Sequence, residues 1–318
     1  MVKRKINRAS TMDRIEVTYR KYFLGSAFIE KYTSNISEKD IIVFINDLFI
    51  RYGYISQKDI ERIYQILHSV LCYGRDLEET YIRLYDWERI KRNIPWNKVD
   101  SRKKNESALS KETLLLLYTS VLHDNIYPEK RSAALLCIMN IFLGLRIGEL
   151  ASLQFNDFDF VNMVLKVERA ESKYYERDND GNRIALCYKT DMPKTLVSIR
   201  HIPLLPQTLE IYQAIQEHHK ACGYDSKYLC YDGKETNRTR SIDRTYRRLA
   251  TLNNIHGFNS HLIRKTFATV LHNQGTPTRI ISDILGHSEM STTEKNYILT
   301  QKEAYAMKYN YMANAFKN

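Results

Sequence analysis

Apolar residues recur at helical spacing through most of the first hundred positions. After Ile36-Ser37-Glu38 the run KDIIVFINDLFIRYG places them every three or four residues and stops at Gly53. A second run, QKDIERIYQILHSVLCYG, begins after Ser56 and closes at Gly74, and a third amphipathic segment covers about 77–90. No β-rich run interrupts residues 11–96, so this region is expected to form a bundle of four or so helices. The pattern then breaks. PWNKVDSRKKN, with its proline, its serine and the cluster Arg102, Lys103, Lys104, predicts a linker over 97–108.

Regular structure restarts at Ser110, a helix N-cap ahead of Lys111-Glu112. Residues 132–142 are almost all apolar and predict a helix buried at the centre of a second domain. Past Arg146 the period shortens. Strands are expected at 164–167, 183–188 and 198–203, with Asp178-Asn179-Asp180-Gly181-Asn182 turning the chain between the first two. Helical spacing returns at 206–222 and 241–254 and continues to the end, with no internal repeat. The last residues place Tyr305, Met307, Tyr309, Met312 and Phe316 among polar neighbours. On one helix these form an apolar stripe, covered either by the chain's own domain or by a second copy.

Composition narrows the class. The 318 residues suffice for two domains or one large one, and 43% hydrophobic content allows a true core. No stretch holds eighteen uncharged apolar residues, and MVKRKINRAS is followed by no apolar segment, so neither a membrane span nor a signal peptide is expected. Cys72, Cys137, Cys187, Cys222 and Cys230 are scattered without a CxxC pair, which reads as reduced cytosolic thiols. The net charge of +11 points to a polyanionic partner. It is uneven: residues 1–104 carry 21 Lys and Arg against 14 Asp and Glu, and the remainder carries 27 against 23. Residues 1–10 read as a basic arm, and the first third as a nucleic-acid clamp.

Candidate chemistry lies in the second half. His261 and Arg264 are three residues apart, on one helix face. Leu285-Gly286-His287-Ser288 forms a turn, and Tyr297 follows His287 by ten residues. Arg146 sits between Gly144 and Gly148 after the apolar helix, with Glu149 close enough to orient its guanidinium. An Arg–Glu pair at a helix start explains the same residues without a ligand. Lys194, in Met192-Pro193-Lys194-Thr195, precedes the third strand, with Lys189 as a competitor. Arg238, Arg240 and Arg244 lie on a basic helix that either faces DNA or is simply solvated.

Taken together, LGLRIGEL (143–150), PKTLVSIRHIP (193–203), HLIR (261–264), LGHS (285–288) and Tyr297 resemble the tyrosine recombinases, the phage-integrase family of site-specific DNA recombinases. Five motifs in the family's order across about 150 residues are specific where any one is weak. The resemblance of residues 11–96 to the family's helical core-binding domain rests only on helix pattern and on position before the linker.

The resemblance implies a mainly α fold with a small antiparallel β-sheet in the catalytic domain, and a two-domain, C-shaped clamp on DNA. The domains would be 11–96 for core binding, 109–299 for catalysis, and a tail at 300–318 exchanged between protomers. Tyr297 would be the nucleophile and His261 its base. Arg146 and Arg264 would grip the non-bridging oxygens, His287 would add a hydrogen bond, and Lys194 would protonate the leaving oxygen. Tyr305 is a second tyrosine within range. No cofactor and no metal are implied, because a phosphotyrosine conserves the energy of the bond. The implied partners are double-stranded DNA with specific recombination sites, three further copies in a homo-tetramer, and accessory or directionality proteins, in the cytoplasm. The extended 172–190 stretch resembles the enlarged hairpins of conjugative-transposon integrases, which favours a mobile-element integrase. The other readings are a Xer-type dimer resolvase, a type IB topoisomerase and a catalytically silent DNA-binding regulator.

Overall fold

In the computed structural model, the residues described are 9–76, 84–100, 107–179, 181–191, 199–234 and 237–286. The chain divides into two compact units, Met1–Asn105 with Tyr174–Cys187, and Glu106–Lys173 with Tyr188–Asn318.

The first unit contains helices α1 (Ala9–Tyr22), α2 (Glu38–Tyr52), α3 (Gln57–Asp76) and α4 (Trp87–Arg92). Ser37 starts α2 by a capping box: its hydroxyl accepts from the Asp40 N–H, and the Ser37 N–H donates to the Asp40 carboxylate at 2.8 Å. Gly53 ends the helix at φ +72°, a conformation open to glycine. Ile41, Phe44, Ile45, Leu48 and Phe49 form the buried face of α2 and share a core with Ile60, Ile63, Leu67 and Leu71. Each such side chain contributes about 1.5–3 kcal/mol on burial.

Two expectations change here. The third amphipathic segment is not a helix at 84–86; α4 starts at Trp87, where Asp86 accepts from the Arg89 N–H at 2.9 Å, and 77–83 lie outside the described residues. The linker expected from 97 begins with ordered structure. Strand β2 (Val99–Asp100) pairs in parallel with β1 (Ile55–Ser56), because Ile55 is a buried core residue beside which Val99 packs. Arg102, Lys103 and Lys104 fall outside the described residues.

The second unit is built around α6 (Arg131–Leu143), whose residues from Ser132 to Asn140 are all buried. Helices α5 (Lys111–Leu122), α8 (Pro206–Cys222), α9 (Arg238–Leu252) and α10 (Ser260–Asn273) pack on it. Ser110 caps α5 by accepting from the Thr113 N–H. Short α7 (Ile147–Ala151) follows α6, and α11 (Thr278–Leu285) follows α10. Strands β3 (Phe158–Asp159), β4 (Val164–Val167) and β7 (Arg200–Pro203) make an antiparallel sheet in that order. Its register pairs Leu165 with Ile202 and Val167 with Arg200, and all four residues point inward and are buried.

The strand order differs from the expected one. The turn at 178–182 joins β5 (Ala170–Arg177) to β6 (Arg183–Asp191), a separate two-stranded ribbon, and β4 pairs with β7 instead. AESKYYER shows no apolar alternation because its one buried side chain is a charged one, Glu171, and the rest are half-buried or exposed. The far end of the ribbon, 174–187, folds with the first unit: Arg177 pairs with Asp13 at 2.6 Å and Glu16 at 2.5 Å, and Arg183 with Glu16 at 3.1 Å. The fold is thus mainly helical with small antiparallel sheets. Among the described residues, no helix is long and apolar enough to cross a membrane.

Candidate active site

The site begins where α6 stops. Gly144 caps the helix at φ +59°, and a Cβ there would lie 2.4 Å from the Phe267 ring, so only glycine fits. Buried Asn140 fixes the turn that follows: its Oδ1 accepts from the Leu145 N–H at 2.7 Å, and its Nδ2 donates to the Leu145 carbonyl at 3.2 Å. Arg146 then occupies the N-cap of α7 and Glu149 its third position, and the Arg146 N–H donates to Glu149 Oε2 at 3.0 Å.

Glu149 is the hub, and three arginines converge on it. Arg146 Nη1 donates to Oε1 at 2.9 Å. Arg200 donates from Nη1 to Oε1 at 3.2 Å and from Nη2 to Oε2 at 2.9 Å, a bidentate fork. Arg264 Nη1 lies 4.0 Å from Oε2. Burial pushes the Glu149 carboxyl up, but the Arg200 hydrogen bonds and the charges of Arg200, Arg146 and Arg264 outweigh it, and its pKa falls below the ordinary glutamate value.

The other acceptors are helix ends. Arg146 donates to the carbonyls of Leu285 and Gly286 at 3.2 and 2.8 Å, Arg200 to Ile284 at 2.5 Å, and Arg264 to Gly144 at 2.9 Å and Leu285 at 2.6 Å. The last carbonyls of a helix have no partner within it and carry the negative end of its dipole. The arginines satisfy these groups at the C-termini of α6 and α11, which ties the two helices together. Three guanidinium groups gathered around one carboxylate bring positive charge to one place, an arrangement suited to a phosphate.

Exposure separates the arginines. Arg200 and Arg264 are 6% and 7% exposed, whereas the Arg146 side chain is 41% exposed. Arg146 is therefore the member of the cluster open to a ligand. His261 is exposed in the first turn of α10, one turn before Arg264, on a helix whose N-cap Asn259 accepts from the Leu262 N–H. Lys194, His287 and Tyr297 lie outside the described residues.

Arg200 is the member that the sequence reading left out of the site. Its signal is a charge at an inward position of β7, two residues before buried Ile202. Among the basic residues expected to face DNA, Arg240 and Arg244 are exposed and line a cavity of about 360 Å³ with Tyr127, Lys130 and Asn237. Arg238 differs from these two: its guanidinium is 15% exposed, paired with Glu171 at 3.1 Å and stacked 3.7 Å from the centre of the Tyr228 ring.

The sequence profile of the phage integrase family matches residues 119–304. A tyrosine recombinase XerC-like protein of Caldanaerobacter subterraneus subsp. tengcongensis is 28% identical over 311 residues, covering 93% of this chain and 75% of its own. A tyrosine recombinase of Thermosipho africanus is 22% identical over 299 residues, covering 89% and 94%. Among solved structures, the Tn1549 transposon integrase in complex with transposon right end DNA superposes with a TM-score of 0.68 at 20% identity, covering 96% of this chain and 94% of that one. A lambda integrase dimer bound to a core site gives 0.57 at 14% identity, covering 92% and 89%. These two structures share the fold.

Proposed function

Since the chain belongs to the phage integrase family and is a tyrosine recombinase, an enzyme that cleaves and rejoins DNA at specific sites, we propose that it is the integrase of a mobile genetic element and that Arg146 is its principal phosphate clamp. The observation that carries the clamp is the cluster on Glu149, in which Arg146 alone of the three arginines holds an exposed guanidinium in fixed orientation. Such a group meets the charge that grows on the non-bridging oxygens as a phosphodiester is attacked.

In this reading Tyr297 attacks the scissile phosphorus. The new bond joins phosphorus to the phenolic oxygen and the bond to the 5′-oxygen breaks, leaving a 3′-phosphotyrosyl link and a free 5′-hydroxyl. A free tyrosine has a pKa of about 10, so its proton must leave during attack, and His261 takes it. Lys194 gives a proton to the departing 5′-oxygen, and His287 donates to the phosphate. Arg264 supports the clamp from the buried side. Reversal with a 5′-hydroxyl from another duplex rejoins the strands, so four copies on two sites exchange them through a Holliday junction. Arg240 and Arg244 contact the DNA backbone, and the enzyme works in the cytoplasm on the nucleoid.

Arg146→Ala is expected to slow single-turnover cleavage at saturating DNA by about 10²–10³-fold. Arg146→Lys should restore little of this, because an ammonium cannot reproduce the planar fork. Cleavage by Arg146→Ala within threefold of wild type would remove the clamp.

The mobile-element role is supported by the long β5–β6 ribbon and by the likeness to a transposon integrase. A dimer resolvase is favoured by the XerC-like relative that aligns over 93% of the chain. Recombination assays separate them. An integrase joins two unlike sites, one from the ends of the element and one from its target, whereas a resolvase recombines two identical chromosomal sites. Recombination of the identical pair alone would establish the resolvase.

A further inference from the structure

Arg238 opens α9, yet it binds inward rather than outward. Its Nε donates to the carbonyl of Ala151, the last residue of α7, at 2.9 Å, and Nη2 donates to Thr190 Oγ1 on β6 at 3.1 Å. The guanidinium, 15% exposed, pairs with Glu171 on β5, whose side chain is 2% exposed. Glu171 in turn caps α9 from outside. Its Oε1 accepts from the Thr239 N–H at 2.6 Å and from the Thr239 hydroxyl at 2.5 Å, supplying the acceptor that Asn237, the N-cap residue, does not. The main-chain oxygen of Glu171 rests on Gly148, the second residue of α7, so close that a Cβ there would lie 2.5 Å away.

Helix α7 is five residues long and has almost no stability of its own. It is held at its start by the Arg146–Glu149 cluster, at Gly148 by the Glu171 backbone, and at its end by Arg238. We infer that the Arg238–Glu171 pair is a positioning device for α7, fixing the helix that carries Arg146 and Glu149, and that it makes no contact with DNA. The inference rests on the reading of Arg146 as the phosphate clamp. A guanidinium neutralised by a buried carboxylate and flattened on a tyrosine ring has little left to offer a phosphate. A catalytic group displaced by about 1 Å loses about a hundredfold in rate.

The test uses the full chain and a nicked duplex taken from the ends of the element or from the locus around the gene, in single-turnover reactions. Arg238→Gln is expected to form the covalent adduct about a hundredfold more slowly at saturating DNA. Its half-saturating DNA concentration and its salt dependence should match wild type. Arg238→Lys should fail to rescue the rate, because a single ammonium cannot reach Ala151, Glu171 and Thr190 together. Weakened binding with a salt slope shallower by about one, and a wild-type rate once bound, overturns the inference in favour of a phosphate contact. An unchanged rate overturns it as well. Glu171→Gln, which keeps the shape and removes the charge, carries the same test if Arg238→Gln does not fold by its urea midpoint, with a smaller loss in the same direction. Arg146→Ala in the same assay separates the inference from its premise. Wild-type cleavage by Arg146→Ala removes the premise, whereas slow cleavage there beside wild-type cleavage by Arg238→Gln removes the positioning role alone.

Discussion

Glu149→Gln is expected to lower the unfolding free energy by about 3–5 kcal/mol, the range for removing one partner of a buried ion pair. The substitution keeps the shape of the side chain and deletes its charge, so steric effects are small. Arg200 and Arg264, both largely buried, then lose the carboxylate that they share with Arg146. Urea unfolding of wild type and variant at neutral pH measures the loss, and a difference below about 1 kcal/mol would show that the helix-end carbonyls alone hold the arginines. The pH dependence adds a second reading. The Glu149 carboxyl titrates below its ordinary 4.5. Its contribution is therefore whole above that pH and disappears as the pH falls through the lowered value. The gap between wild type and Glu149→Gln should stay constant from neutral pH down to 4.5 and shrink below it. Cleavage should fall with stability, since the same carboxylate orients Arg146.

Most of the helical framework was legible because its signals are local. Ser37 with Asp40, Gly53, Ser110 and the apolar run ending at Gly144 each specify a boundary within four residues of themselves. Arg146, Glu149 and Arg264 were equally legible, because unusual residues in a fixed order mark them. What escaped depends on contacts between distant positions. Strand β5 is polar and carries no period, so only its partner β6 reveals it. Arg200 is buried with its charge met by Glu149, 51 residues earlier, and by the Ile284 carbonyl, 84 residues later. Arg238 looks like any arginine of a basic helix until Glu171, Tyr228 and Ala151 are placed around it.

Tyr297→Phe is expected to abolish covalent chemistry outright, since phenylalanine has no oxygen to attack phosphorus. Every other proposed role in the site serves that attack. The measurement that tests it most directly is a nicked suicide duplex, incubated without added metal with wild-type protein and with Tyr297→Phe, and resolved under denaturing conditions. A denaturant-stable protein–DNA adduct joined through the 3′-phosphate is expected with wild type, and none with Tyr297→Phe at equal DNA binding. An adduct that persists in the phenylalanine variant would contradict it and move the nucleophile to another tyrosine, with Tyr305 the first to replace.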